Sequence, residues 1–226
     1  MHVSSIYPLG GIVNCFYLVC FRYKICYSRY MINNKVLNIK VIVGSTREGR
    51  FSDKAAAWIT GELKKEEGVM VEAVDLRDYE MPFFNEAETP TYKSKPYTNE
   101  AVVRFTAKIK EGDAFMIVTP ENNHGIPGVL KNAIDWVSQE WNNKPVAFVS
   151  YGTVGGARSV EHLRLVAIEL QMAPIRESIN INGEQYFPVL FGKATAEELF
   201  PNYVDKAKLM NTQLLWWAHA LKKARE

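Results

Sequence analysis

Three stretches of the chain gather the small, hydroxyl and amide residues from which a ligand site can be built. The first is Gly44, Ser45, Thr46, Arg47, Glu48, Gly49, Arg50, Phe51 and Ser52, set just ahead of a helical segment. Unpaired N–H groups and the dipole of a helix N-terminus favour an anion there, and two arginines add fixed charge, so the stretch reads as a phosphate cradle. It is neither G-x-G-x-x-G nor a P-loop. Ser52 either joins the cradle or caps its helix. The second stretch is Pro120, Glu121, Asn122, Asn123, His124, Gly125, Ile126, Pro127 and Gly128. Amides and a carboxylate between two prolines form a stiff loop that offers donors and acceptors to one edge of a planar polar ligand, and its glycines permit close backbone approach. The third is Ser150, Tyr151, Gly152, Thr153, Val154, Gly155 and Gly156. Here three glycines leave the backbone free to wrap a flat ring, with Tyr151 packed beside it.

Other chemistries lack their residues. His2, His124, His162 and His219 are far apart and have no metal-ligand spacing. Ser150 lacks the G-x-S-x-G elbow of a hydrolase. His124 fits a loop hydrogen-bonding group better than a general base, and His162, between Glu161 and Arg164 on a helix, fits a surface or supporting residue.

The elements that must position these loops alternate from residue 37 onward. Short β-branched runs predict strands at 38–43, 69–75, 114–119, 146–150 and 174–181, and amphipathic spacing predicts helices at 52–67, 99–111, 127–141 and 157–172. That order is the pattern of an α/β fold with a parallel sheet. In such a sheet the loops at the carboxyl ends of the strands form the binding crevice, and all three stretches occupy those loops. A last helix is predicted over 202–223, where Trp216 and Trp217 add apolar area beyond one core-facing stripe, either exposed or used in a subunit contact. The connection over 76–98 holds Pro82, Pro90 and Pro96, and irregular loops of that length are usually functional.

Composition narrows the partners. The 226 residues carry 27 Lys+Arg against 25 Asp+Glu, a net charge of +2 with no polybasic run, which gives nucleic acid nothing to grip. The first thirty residues hold Arg22, Lys24 and Arg29 with no acid, and all three cysteines, Cys15, Cys20 and Cys26. Their apolar stretch from 12 to 21 is about half a membrane span, and the basic residues follow it instead of preceding it as in a secretory signal. We therefore expect residues 1–36 to be a disordered or loosely docked extension, residues 37–226 to be one domain, and no stable membrane insertion. A cysteine-free body fits a reducing cytoplasm.

The three motifs resemble those of the NAD(P)H-dependent FMN reductases, a flavodoxin-like family. The resemblance spans about residues 38–181 and is carried by Gly44-Ser45-Thr46-Arg47, by the long run from Pro120 to Trp136, and by Ser150-Tyr151-Gly152 with Gly155-Gly156. Asn122 stands where the family usually has tyrosine. The resemblance implies a flavodoxin-like three-layer α/β sandwich, its five-stranded parallel sheet of order 2-1-3-4-5 covered by helices on both faces. It also implies FMN at the switch between the first and third strands. By the same resemblance Ser45, Arg47 and Ser52 hold the FMN phosphate. Pro120, Glu121, Asn122 and Asn123, with His124 adjacent, line one edge of the isoalloxazine, and Ser150, Tyr151, Gly152, Gly155 and Gly156 its other side. A homodimer or homotetramer is implied as well.

The expected activity is hydride transfer from NADPH or NADH to FMN and onward to a small-molecule acceptor (flavin, quinone, azo compound or metal ion) in a ping-pong cycle. The flavin carries that chemistry, so no catalytic side chain is expected. Arg47 or Arg50, with Lys93 and Lys95, are the cations expected to meet the 2′-phosphate of NADPH. The alternative is a flavodoxin-type electron carrier or redox-sensing FMN module. Such a carrier would show a strongly acidic docking face, which a body of net charge −1 does not supply.

Overall fold

The computed structural model describes Val36–Glu226, which form one compact unit. The expectation for the N-terminal extension falls on residues outside this range. Five parallel strands, β1 (Leu37–Val43), β2 (Val69–Asp75), β3 (Ala114–Pro120), β4 (Pro145–Gly152) and β5 (Ala173–Asn182), form one sheet of order β2-β1-β3-β4-β5. This is the flavodoxin-like 2-1-3-4-5 order, with all five predicted strands within two residues of their expected ends.

The central strands are apolar on both faces, as a sheet covered on both sides requires. Leu37, Ile39, Val41 and Val43 of β1 alternate onto one face, where helices α1 (Ser52–Leu63) and α7 (Val204–Arg225) cover them. Ile42 joins Phe115, Ile117 and Phe148 on the other face, beneath α2 (Glu100–Glu111), α3 (Gly128–Asp135) and α4 (Ala157–Glu169). Lys40 is buried on that second face, where it pairs with Glu72 and Glu111. Two further helices, α5 (Gly183–Leu190) and α6 (Ala196–Leu199), lead into α7. No helix among the described residues is long and apolar enough to cross a membrane.

The long connection over 76–98 contains two single 3₁₀ turns and is anchored by α3 and the residue after it. The Asn132 side chain accepts from Phe84 N–H and donates to the Pro82 carbonyl, both at 2.9 Å. The buried Trp136 indole donates to the same carbonyl at 2.9 Å and packs edge-on against Phe84 and Tyr97. The helix predicted over 127–141 therefore ends at Asp135. Ser138 leaves the helical backbone region at φ −131° and ψ −83°, and a 3₁₀ turn at Gln139–Trp141 replaces the last predicted turn.

At the amino end of the sheet, opposite the loop crevice, Lys144 is 7% exposed, and its ammonium donates to the Ile109 and Lys110 carbonyls at the end of α2. Burial, aided by the nearby Arg225 charge, pushes its pKa down to about 8. Its folded pKa lies below its unfolded value near 10.5, so between these values the unfolded chain binds the extra proton and stability rises with pH. Comparing wild type with Lys144→Met isolates this contribution. We expect the stability difference to shift in favour of wild type by about 3 kcal/mol from pH 8 to 10.5, read from urea midpoints. A difference independent of pH would reject it.

Candidate flavin site

The loop after β1 is tied to the centre of the sheet. Gly44 N–H donates to the Val118 carbonyl at 2.8 Å, and a β-carbon on Gly44 would lie 2.8 Å from Leu130 Cδ2 and 3.0 Å from that carbonyl oxygen. Ser45 is buried, and its hydroxyl accepts from Arg47 N–H at 3.4 Å. Arg50 does not face a ligand, contrary to the expectation of two free arginines. It is 6% exposed, donates from Nη1 to the Ser45 carbonyl and from Nε to Asp53 at 2.8 Å, and makes a two-pronged pair with Asp75 at the end of β2. Three oxygen partners within the fold leave this guanidinium no role at the 2′-phosphate of NADPH. Burial opposes its charge, but the hydrogen bonds to Asp75 and Asp53 outweigh that and raise its pKa. Burial would also lift the Asp75 carboxyl, and the bond from Arg50 instead holds it below the usual carboxylate range.

Arg47 is exposed, and its carbonyl is held from behind by Arg77. Thr46, Glu48 and Gly49 have N–H groups with no acceptor among the described residues, and α1 begins with no side-chain cap. Ser52 is not that cap. It is fully buried in the first turn, and its hydroxyl pairs with the Tyr151 hydroxyl at 2.7 Å.

The loop after β3 is a tight turn. Asn122 and Gly125 exchange backbone hydrogen bonds at 3.1 and 3.0 Å, and the two residues between them, Asn123 and His124, have φ of 47° and 71°. Two positive φ values in a two-residue connection are type I′ geometry, which suits Asn and projects both side chains outward. Pro120 is the buried last residue of β3. Glu121 follows it with N–H donating to the Tyr151 carbonyl at 3.0 Å. Its carboxylate accepts from Arg158 Nε at 2.7 Å and from Arg158 N–H at 3.2 Å in the first turn of α4, locking the second loop to the third. His162, on α4, lies under this turn: a β-carbon on Gly125 would be 3.4 Å from its Nδ1.

In the loop after β4, Ser150 Oγ donates to the Gly155 carbonyl at 2.7 Å and accepts from Asn180 Nδ2 at 2.8 Å. Gly155 and Gly156 have φ of 73° and 72° and pack against β5 and β4, with no room for a β-carbon. Gly152 faces Glu121 Cβ at 3.2 Å from its own missing β-carbon. The Tyr151 ring is buried and meets Phe51 and Tyr186 edge-on at 5.0 and 5.2 Å. Burial raises the pKa of its phenol, which keeps the proton it shares with Ser52.

The three loops thus converge through direct bonds. Lys93 and Lys95 do not join them: Lys93 pairs with Glu86 at 2.9 Å over the Tyr97 ring, and Lys95 is exposed on the anchored 76–98 connection. The partners Arg158, Asn180 and Asp75 had no local sequence signal, since each lies 25 or more residues from the residue it supports.

Comparison with known proteins gives the site its context. A family model described as NADPH-dependent FMN reductase matches residues 37–185. An NAD(P)H-dependent FMN reductase of Schizosaccharomyces pombe is 36% identical over 145 residues, covering 63% of this chain and 72% of that protein. An NAD(P)H:quinone oxidoreductase of Solanum tuberosum is 34% identical over 148 residues, covering 63% and 73%. Among solved structures, the flavoenzyme NAD(P)H:(acceptor) oxidoreductase FerB of Paracoccus denitrificans superposes with a TM-score of 0.59 at 24% identity over 83% of this chain and 98% of that one, a likeness of fold. By the extent of the family match and by these relatives, the chain belongs to the NADPH-dependent FMN reductase family.

Proposed function

We propose that the chain takes hydride from NAD(P)H and passes the electrons to a small-molecule acceptor, a quinone or free flavin in the first instance, in a ping-pong cycle. The observation that carries the reading is the pairing of an uncapped helix start, whose loop N–H groups have no protein acceptor, with a two-residue turn at the neighbouring switch-point strand. As a member of its family the protein is an oxidoreductase using FMN and NAD(P)H. The residues fit that cofactor. Thr46, Glu48 and Gly49 offer unsatisfied donors for a phosphate, with Ser45 and the exposed Arg47 beside them. Ser52 supports this cradle from below through its bond to Tyr151. Asn122, Asn123 and His124 would line one edge of the ring system, and Ser150, Gly152, Gly155 and Gly156 would shape the wall opposite.

Bound FMN supplies the hydride-accepting ring, and the protein's part is orientation and electrostatics. The Glu121–Arg158 pair keeps the second and third loops at a fixed separation, and the glycine contacts hold the third loop against the sheet. No side chain needs to move a proton, in keeping with a site made of hydrogen-bonding groups. We place the protein in the cytoplasm and read it as a homodimer or homotetramer; Trp216 and Trp217 of α7, 51% and 38% exposed, support the subunit contact.

An anaerobic absorption spectrum of the protein with FMN, before and after NADPH, tests the reading. Bleaching of bound flavin is expected. Flavin that binds and stays oxidised would instead favour an electron carrier, and absence of binding would remove the site.

A further inference from the structure

The family match stops at residue 185, and the next residue, Tyr186, is the one whose ring reaches back to the phosphate loop. Helix α5 starts directly from the end of β5. Gly183 fits it against the third loop, since a β-carbon there would lie 2.7 Å from the Phe187 ring and 3.2 Å from Thr153 Cα. This close seat carries the Tyr186 ring onto Tyr151 at 5.2 Å and onto Phe51, the residue before α1, at 5.4 Å. Two phenols of this aromatic cluster are already used: Tyr151 pairs with Ser52, and Tyr203 donates to Gln185. The Tyr186 hydroxyl has no hydrogen-bond partner among the described residues, although its ring is half-buried.

We propose that the Tyr186 hydroxyl is a further ligand of the FMN phosphate monoester, closing on α5 the cradle formed by Arg47 and the free N–H groups ahead of α1. The inference rests on the flavin-site reading above and deepens it. The Tyr186 ring lies against Phe51, the residue just ahead of α1, and against Tyr151, and the Arg47 charge is felt by both phenols. Burial outweighs that charge and raises the Tyr186 phenol above its ordinary value, so the hydroxyl keeps its proton and remains a donor at neutral pH. A phenol donating to a dianionic phosphate makes a charge-assisted bond, stronger than a neutral one. Riboflavin, which lacks the phosphate, gains nothing from it.

The test uses the full chain stripped of flavin, with FMN and riboflavin affinities measured by quenching of flavin fluorescence. Tyr186→Phe keeps the ring contacts and removes only the hydroxyl. It is expected to weaken FMN binding about tenfold, the usual worth of a hydrogen bond to a charged group, while riboflavin binding stays within about twofold. Inorganic phosphate, added as a competitor of FMN, should lose potency by about the same factor. Equal losses for FMN and riboflavin would assign Tyr186 a packing role and overturn the inference, as would no loss for either. Failure of the wild-type chain to bind FMN would overturn the flavin-site reading and the inference with it; normal wild-type binding with an unchanged FMN-to-riboflavin ratio in the variant would overturn the inference alone.

Discussion

Gly156→Ala is expected to destabilise the protein by about 3 to 4 kcal/mol and to weaken FMN binding, whereas Gly49→Ala, at almost the same backbone angle, should lose only about 1 kcal/mol. The two glycines have φ of 72° and 62°, so both substitutions meet the left-handed penalty of roughly 1 to 2 kcal/mol. They differ in what surrounds the new methyl group. At Gly49 nothing lies within 4 Å. At Gly156 it would lie 2.7 Å from Ser150 Cβ and 2.9 Å from Tyr151 N. The second contact is backbone of β4, which cannot retreat without breaking register with β3, where Thr119 faces Ser150 and Pro120 faces Tyr151. Relief must come from the loop, and moving the loop displaces the Gly155 carbonyl that Ser150 and Asn180 hold. Urea midpoints and FMN titration of the two variants give the comparison. Equal stability losses would show that backbone conformation alone requires Gly156.

This glycine also marks how far the sequence could be read. The clustering of Gly152, Gly155 and Gly156 after a strand pointed to a ligand-facing loop, and it suggested that the glycines open the backbone to a ring. At 155 and 156 the requirement comes from within the protein: positive φ, and contact with Asn180 and Ser150. The strands were legible because a sheet buried on both faces leaves unbroken apolar runs, and their order followed from the family resemblance. Helix α5 was not predicted: it contains Pro188, and 186–190 is a continuous run of Tyr, Phe, Pro, Val and Leu with no polar residue to mark a helical period. Tyr186 was missed with it. The pairing of Ser52 with Tyr151, 99 residues away, leaves no local trace, and without it a serine at a helix start looks like a cap. Arg50 was misread for the same reason, because its partner Asp75 ends a different strand.

Separating the two arginines of the first loop gives the second large effect. Arg50→Met is expected to lower stability at pH 7 by about 2 to 3 kcal/mol and FMN affinity by about tenfold, while Arg47→Gln should lower FMN affinity by a similar factor and leave stability nearly unchanged. Removing one partner of a buried ion pair strands the other, which typically costs roughly 3 to 5 kcal/mol; Asp75 is 29% exposed, so water recovers part of that loss. Binding suffers as well, because the Ser45 carbonyl loses its donor and the loop its internal brace. The exposed Arg47 side chain braces no part of the loop, so in the proposed site its replacement would be felt by the ligand alone. Acid distinguishes the mechanisms further. The Asp75 carboxyl in the folded protein titrates below its ordinary value near 3.8, so its pair with Arg50 stabilises the fold fully above that pH and progressively less as pH falls through the folded pKa. In Arg50→Met, burial is opposed only by the Arg77 N–H bond and charge, so the Asp75 carboxyl protonates at a higher pH than in wild type and the variant sheds its stranded charge earlier. The stability gap between wild type and Arg50→Met should therefore be widest near neutrality and close as pH drops below about 4, and a gap of constant size across that range would mean that Arg50 acts through packing of its stem and not through its charge.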